Sequence, residues 1–544
     1  MLKLIFVTGS LSGVGKGTIA ASIATMLQAY GHDVTIVKID PYINVDAGLF
    51  NPVEHGEPYV LDEVWEFSPV EGYVFRICEV DQDFGTYERF LNRNLHPSHN
   101  ITSGQVYLSV ILKERKGMYL GRTVRLIPHV TDEIKDRILS IAENHDITIV
   151  EVGGTVGDYE AAIFLEAIRQ LRNEFPRDDT MLVHVVWVPF LSTVGELKTK
   201  PAQHSFRLLL ESGLMCDAVI ARTERRDLPS ETRAKLALYS NIPEKAVFVV
   251  PDLDISYETL LVLIDQGLDR YISQRLNIPM SNPDKLLGAW RDFIGRLKNS
   301  FREVSIALVG KYTKMRDTYI SIIEATKHAA AELRVRPRIS IVDSETLNIG
   351  ELRSYDAIIL TPGFGRRGTE GMINTAIYSL RTGIPFLGIC FGAQLATVAF
   401  AREIMGWRDA NSTEIDPSTS HPVVDLMPEQ KNISGLGGTM RLGGLDIEIL
   451  EGTQLRRIYG SSRVRERFRH RYHIMWRYVE KMEDKGFRVS AVDKMNRIAA
   501  FELDGYEFFI GVQYHPEYRS RPLSPHPIFI ELLRKAMSSK NSPS

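Results

Sequence analysis

The chain has 544 residues, 44% of them hydrophobic and 24% charged, with 65 basic against 68 acidic side chains for a formal charge of −3. That length predicts about two to four domains with well-packed cores, and the near balance of charge argues against a nucleic-acid or membrane-surface protein. Three cysteines, Cys78, Cys216 and Cys390, are too few for a disulfide framework and suit a reducing compartment. The opening "LKLIFV" reads as a strand rather than a signal peptide, and no apolar run approaches the ~18 residues that span a bilayer. The expectation is a cytoplasmic protein.

In chain order, "LKLIFVTG" (2–9), "DVTIVKID" (33–40), "DITIVEVGG" (146–154), "LVHVVWVP" (182–189), "DAVIAR" (217–222) and "AVFVVP" (246–251) read as buried parallel strands with helical periods between most of them. This is the pattern of a doubly wound sheet. After the first strand, "GSLSGVGKGT" (9–18) leads into the helical "IAASIATMLQAY". Such a glycine-rich loop can turn its N–H groups inward on a phosphate, with Lys16 reaching the phosphate oxygens. Gly17 stands where a standard phosphate loop has the Ser or Thr that holds Mg²⁺. The metal's oxygens must therefore come from elsewhere, and Glu151, at the end of "ITIV", and the acids Asp81 and Asp83 of "DQDFG" are the candidates. Lys38, ending the second strand, is a candidate second cation in the same crevice. The run "KTKPAQ" (198–203) sets Lys198, Lys200 and Gln203 on one short loop suited to a triphosphate.

A Pro/Asn/Ser turn cluster followed by one amphipathic helix marks a linker over 271–300. Beyond it a second series of strands is predicted: "VSIALVG" (304–310), "RISIVDS" (338–344), "DAIILTPG" (356–363), "IPFLGI" (384–389) and "FFIGVQYHPE" (508–517). The stretch "IPFLGICFGAQLATVAF" (384–400) holds Cys390 on a sharp turn from strand to helix. A helix N-terminus favours the nucleophilic thiolate. In "VQYHPEY", His515 and Glu517 are two residues apart, so alternation along an extended chain would aim both the same way. His515 then serves as the base, with Glu517 fixing its tautomer. Cys78 and Cys216 are expected to be buried structural thiols.

The strings "KIDPYINVDAG", "VEVGGTVGD", "FLEAIRQ", "ELKTKPAQHS" and "NIPEKAVF" resemble the amidoligase half of the CTP synthase family, and "GICFGAQ" with "QYHPE" resembles a class I glutamine amidotransferase. With both halves the resemblance covers nearly the whole chain. It implies an α/β protein of two domains: an N-terminal P-loop-type parallel-sheet synthetase domain over 1–270, then the linker, then a C-terminal flavodoxin-like amidotransferase domain over 301–544. It further implies conversion of UTP to CTP with ATP and glutamine through a 4-phosphorylated intermediate. On that resemblance Gly13, Val14, Gly15, Lys16, Gly17, Thr18, Lys38 and Asp83 hold ATP, and Asp83 and Glu151 hold Mg²⁺. Ser12, Lys198, Thr199, Lys200, Pro201, Ala202, Gln203 and Lys235 contact the pyrimidine nucleotide, and Asp158, Tyr159 and Glu160 belong to the pocket for product CTP. Cys390, His515 and Glu517 form the triad, with Gly363, Phe391, Gln394, Glu414 and Arg471 around glutamine. GTP as allosteric activator and a homotetramer are the family's further implications.

The sequence departs from the family's usual form in five places, two of them Pro362, where many relatives have glycine, and "RHRYHIM", which replaces a usual Glu-Val-Asn ending and puts His473 at the first changed place, with no role assigned. In the other three the phosphate loop is one residue shorter, residues 60–80 are longer, and the segment before "LGGTMRLG" is short. Two alternatives to the family reading are another glutamine-fed, ATP-dependent amidoligase and a nucleotide-switched assembly with a degenerate glutaminase. The intact Cys390, His515 and Glu517 set argues against the second; the expected outcome that separates the first is stimulation of ATP hydrolysis by UTP and not by a carboxylate or corrinoid substrate, measured as released phosphate.

Overall fold

The continuous apolar runs of the first half become the centre of a seven-stranded parallel sheet in the computed structural model, which describes residues 2–431, 433 and 435–539. The strand order is Val247–Pro251, Ala218–Thr223, Thr180–Trp187, Lys3–Gly9, Ile147–Val152, Val34–Asp40, Asn100–Thr102. Helices such as Lys16–Ala29, Ala162–Glu174 and Lys200–Glu211 connect these strands and bury their apolar faces. Such both-sided burial is why the strands read as unbroken hydrophobic runs rather than as alternation. The register sets Val7 opposite Glu151, and Glu151 opposite Lys38, at the carboxyl ends of three neighbouring strands.

The second half builds a nine-stranded mixed sheet. Its parallel part runs Arg336–Asp343, Glu303–Gly310, Ala357–Leu360, Phe386–Ile389, Phe509–Val512, which is the 2-1-3-4-5 order of a flavodoxin-like fold. Four antiparallel strands extend it: Ile498–Leu503, Phe487–Asp493, Arg441–Ile449 and Arg463–His470. The sequence reading did not anticipate these four. Charged residues alternate through the outermost of them, "RVRERFRH", so it lacks the unbroken apolar run that marked the parallel strands.

The chain divides into two compact units. One takes the residues up to Asp46, then Glu66–Phe75 and Thr86–Ile294; the other takes Ala47–Trp65, Arg76–Gly85 and the chain from Gly295 on. The long segment over 60–80 is a two-stranded ladder, Tyr59–Val70 with Tyr73–Val80, turning at Gly72 with φ 92°. Pro69 fits there because such a ladder leaves an edge without a ladder partner. The first unit continues through most of the region read as a linker. Within the helix Asp284–Lys298, Trp290 is fully buried, stacked 5.5 Å from Phe90 and tilted 5.7 Å from Tyr257. Cys78 and Cys216 are buried, which pushes both thiols up to about 12. Among the described residues no helix is long and apolar enough to cross a membrane.

Two histidines of the first unit are held neutral. His184 lies between the hydroxyls of Thr8, 2.9 Å from Nδ1, and Ser205, 2.8 Å from Nε2, and its burial, with the Lys16 charge nearby, lowers it to about 3. His99 is lowered to about 3 by burial and by His96 and His145. A folded-state pKa below the ordinary value of ~6.5 means that the unfolded chain takes up the proton first, so stability falls as pH drops through that range. The unfolding free energy, read from urea titrations, is therefore expected to fall between pH 7 and pH 5, by ~2 kcal/mol for each ring. The variant His184→Gln should lessen that fall; an unchanged pH slope would contradict the assignment.

Candidate functional site

At the carboxyl edge of the first sheet, the chain leaves Lys3–Gly9 and turns through Gly13 (φ 73°) and Gly15 (φ 94°) into the helix Lys16–Ala29. Both glycines occupy left-handed backbone that a side chain would strain. Gly15 caps the helix, with Lys16, Gly17 and Thr18 forming its first turn, while Ser12 sits exposed on the loop and Val14 is buried. Lys16 is only 6% exposed, and its Nζ donates to the carbonyls of Leu11 (3.2 Å) and Gly154 (2.9 Å). Beside it, Lys38 Nζ lies 3.1 Å from Glu151 Oε2 and 3.6 Å from Asp40 Oδ1. Tyr87 donates to Glu151 Oε2 at 2.6 Å, and Tyr42 and Asn100 donate to Asp40 at 3.1 and 2.7 Å. Asp40, Tyr87 and Asn100 were missed in the sequence. The "KID" of the second strand was the available signal, since the register puts Asp40 opposite Thr102 on the edge strand that also holds Asn100.

Asn100 Oδ1 is buried without a hydrogen-bond partner, an oxygen beside the carboxylate cluster that a hard cation could use. Among the described residues no three His, Cys, Asp or Glu side chains gather into a metal cage. Mg²⁺ takes one or two protein carboxylates and completes its shell with water and phosphate. Asp83 begins the helix Asp83–Leu91, and its N–H is accepted by Asp81 Oδ1 at 2.9 Å.

The run "KTKPAQ" is the start of a helix rather than the loop expected: Thr199 caps Lys200–Glu211, Pro201 lies in its first turn, and Ala202 is buried. Lys200 Nζ donates to Gln203 Oε1 at 3.3 Å, and Gln203 donates back to Thr199 at 2.9 Å. Lys198 pairs with Glu196, whose carboxyl is held low by that hydrogen bond and also feels Lys235. Lys235 itself pairs with Glu231 one helical turn away, at 2.9 Å. The turn Asp158-Tyr159-Glu160 is exposed, Tyr159 to 97%.

In the second unit Cys390 has φ 52° and ψ −105°, an unusual conformation for a residue with a side chain, between the strand Phe386–Ile389 and the helix Phe391–Glu403. The turn is this tight because Gly392 passes so close to the neighbouring strand that a Cβ there would lie 2.1 Å from Leu360 O. Cys390 N–H is bonded to Val512 C=O at 2.7 Å. That leaves the N–H groups of Phe391 and Gly363 as candidate oxyanion donors. His515 Nδ1 and Glu517 Oε1 are 2.7 Å apart, and both residues are 3% exposed. They meet differently from the expectation: the strand stops at Val512, and Pro516–Arg519 forms a 3₁₀ turn that folds Glu517 back under the ring. Burial opposes a charge on His515, but the Glu517 carboxylate and the Cys390 sulfur outweigh it and raise the ring to about 10. Its Nε2 has no hydrogen-bond partner.

Gln394 donates to Tyr472 C=O at 2.9 Å and to Gln513 Oε1 at 3.2 Å, while Gln513 Nε2 lies 3.8 Å from the Cys390 sulfur. Glu414, raised by burial, accepts from Gly365 N–H at 2.6 Å. Lys311, unnoticed in the sequence, donates to the carbonyls of Phe364 (2.9 Å) and Gly365 (2.6 Å) and stands 4.5 Å over the Phe391 ring. Its position directly after "IALVG", at the ligand edge of a parallel strand, was the signal. Arg471 is turned to another task, donating to Gln430 Oε1 (2.6 Å), Leu436 O (2.8 Å) and Thr439 Oγ1 (2.9 Å). A cavity of about 50 Å³ lies against His515 and Glu517, lined also by Glu57, Gly363, Arg469 and Tyr518 among others.

Comparison with known proteins agrees with this division of chemistry. Residues 3–278 match the family model described as the CTP synthase N-terminus, and residues 314–535 match class-I glutamine amidotransferase. The chain is 46% identical over 546 residues to the CTP synthase of Thermococcus gammatolerans, covering 99% of each. It is 47% identical over 544 residues to that of Sulfurisphaera tokodaii, covering 98% of this chain and 99% of that one. A solved glutaminase domain of Trypanosoma brucei CTPS is 35% identical and covers 44% of this chain and 96% of its own, with a TM-score of 0.41. A phosphate loop on one parallel sheet, a strained cysteine with its His–Glu pair on another, and identity sustained from end to end make this chain a member of the CTP synthase family.

Proposed function

We propose that the chain aminates UTP to CTP, using ATP and the amide nitrogen of glutamine. The observation that carries this reading is the Cys390 turn with the His515–Glu517 pair at 2.7 Å, in a chain that also bears the Lys16 loop. In the glutaminase half-reaction, the Cys390 thiolate attacks the side-chain carbonyl carbon of glutamine. The oxyanion is met by the N–H groups of Gly363 and Phe391. His515, charged beside Glu517, gives its proton to the departing nitrogen, which leaves as ammonia. Water then cleaves the thioester to glutamate. Lys311 holds the carbonyls of Phe364 and Gly365, so the peptide carrying the oxyanion donor stays facing the sulfur. Glu414 and Gln394 fit the polar ends of glutamine. Arg471 would serve the α-carboxylate after exchanging its present partners. The cavity beside His515 and Glu517 exceeds the ~10–15 Å³ that a water needs, and ammonia is of similar size.

In the synthetase half-reaction, the γ-phosphoryl of ATP passes to the uracil oxygen at position four, leaving ADP. Ammonia adds to that carbon, and phosphate departs with the oxygen. Loss of a proton leaves the amino group of CTP. Lys16 and Lys38 supply positive charge to the phosphates, and the loop N–H groups orient them. Lys198, Lys200, Gln203 and Lys235 hold the pyrimidine nucleotide, and Asp158–Glu160 contact product CTP. Glu151 and Asp83 would hold Mg²⁺, which neutralises phosphate charge when bound. On the same reading the enzyme works in the cytoplasm as a homotetramer, with GTP as an activator.

Cys390→Ala is expected to lower glutamine-dependent CTP formation by at least ~10³-fold and to spare synthesis from added ammonia; a folded variant that lost both would sink the two-site division. Lys16→Ala should lower CTP formation from either nitrogen source by ~10²-fold or more, with glutamine hydrolysis retained. Glu151→Gln and Asp83→Asn should each raise the Mg²⁺ concentration needed for half-maximal ammonia-dependent synthesis, read by titrating the metal. A normal titration in both would move the metal site elsewhere.

A further inference from the structure

The segments 47–65 and 76–85 are sequence neighbours of the phosphate-loop strands, yet they belong to the second unit. There they meet the turn that carries His515 and Glu517. Tyr59 donates to Tyr518 C=O at 3.0 Å, and Tyr518 donates back to Pro58 C=O at 3.2 Å. The two rings meet edge to face at 4.9 Å. Tyr518 also stacks on the catalytic imidazole, with centroids 5.1 Å apart and planes 15° apart.

Next to this contact stands Asp62, 9% exposed, facing three guanidinium groups. Oδ1 accepts from Arg519 at 2.6 Å, Oδ2 accepts from Arg465 Nε at 2.7 Å, and Arg467 Nε is 3.6 Å from Oδ1. Arg467 is fully buried, donates to Val60 C=O at 2.9 Å and to Tyr59 at 3.2 Å, and its own carbonyl accepts the N–H of His515 at 2.8 Å. One carboxylate therefore grips the His515 backbone from both sides. Arg467 holds it from the outermost strand, Arg463–His470, and Arg519 holds it from two residues beyond Glu517. Arg465 and Arg519, 43% and 31% exposed, could find water without it, whereas Arg467 could not. Removing Asp62 takes a negative charge away from a guanidinium that burial keeps from water, on the strand whose carbonyl holds the His515 N–H.

We propose that Asp62 is a positioning residue of the glutaminase site, holding the His515–Glu517 turn in its catalytic geometry through Arg467 and Arg519. It touches neither substrate nor the sulfur and acts through the arginines. The inference rests on reading Cys390, His515 and Glu517 as a glutaminase. A misplacement of a general base by a fraction of an ångström lowers turnover far more than substrate binding.

The test uses the full chain, with glutamine-dependent and ammonia-dependent CTP formation measured side by side. Asp62→Asn is expected to lower the glutamine-dependent kcat by ~10-fold, to leave KM for glutamine within about twofold, and to leave ammonia-dependent synthesis intact. Arg519→Gln should do the same, and the double variant should be no slower than the slower single, because both cut one link. Asp62→Glu should restore part of the rate. Wild-type kcat in Asp62→Asn, losses that multiply in the double variant, or an equal loss with ammonia would each overturn the proposal. If Asp62→Asn does not fold, the half-exposed Arg519→Gln carries the test, and wild-type glutamine turnover there overturns it. A wild-type chain that makes CTP from ammonia but hydrolyses no glutamine would overturn the glutaminase reading as well. An active wild type with unaffected variants overturns only the role of Asp62.

Discussion

The hydrogen bond from Cys390 N–H to Val512 C=O is the constraint on which the chemistry of the second unit depends. It is the last rung of a parallel pairing that sets Ile389 opposite Val512. One residue later the chain must leave the sheet and enter a helix, and Cys390 takes a backbone conformation that costs ~1–3 kcal/mol. That strain is sustained because the neighbours leave no alternative: Gly392 lies against Leu360 with no room for a Cβ, and the following helix is buried along most of its length. The same rung brings His515 near the sulfur, three residues beyond Val512. Cys390 and His515 therefore follow the ends of two adjacent strands whose spacing the ladder sets.

The first unit uses the same logic with charge in place of a nucleophile. Parallel pairing aligns Val7, Glu151 and Lys38 across three strands, so the phosphate loop, a carboxylate and an ammonium emerge together at one edge. Lys38, Asp40 and Glu151 are each 5% exposed or less. Burying such groups is costly unless they are paired and hydrogen-bonded, and here Tyr87, Tyr42 and Asn100 provide the remaining bonds. A hydrophobic cluster of the same volume would be as stable or more so.

Much of this was legible from residues alone. Parallel strands buried on both faces are written as unbroken apolar runs, glycines before a helix mark the phosphate loop, and a cysteine between "LGI" and "FGAQ" marks the turn. Other parts were hidden for definite reasons. The ladder over 59–80 and the antiparallel extension carry polar and charged residues along one or both faces, so they lack the signal that betrays buried strands. Arg471 is chemically suited to a carboxylate, yet in the fold its donors go to Gln430, Leu436 and Thr439, a choice made by loop geometry. Glu517 was found by an argument from strand alternation, while the pair forms through a 3₁₀ turn.

The sequence by itself determined the fold class and the family, and it singled out Cys390, His515 and Lys16 as candidates, because each depends on a local pattern: apolar runs, glycine spacing, a cysteine at a helix start. Only the tertiary structure decided which unit residues 47–65 and 76–85 belong to, and that Asp62, far from His515 in the chain, sits among Arg465, Arg467 and Arg519. An exposed aspartate and a buried one bridging three arginines are the same letter in a sequence. What separates them is the desolvation and charge supplied by partners about 400 residues away, and those exist only once both segments have packed.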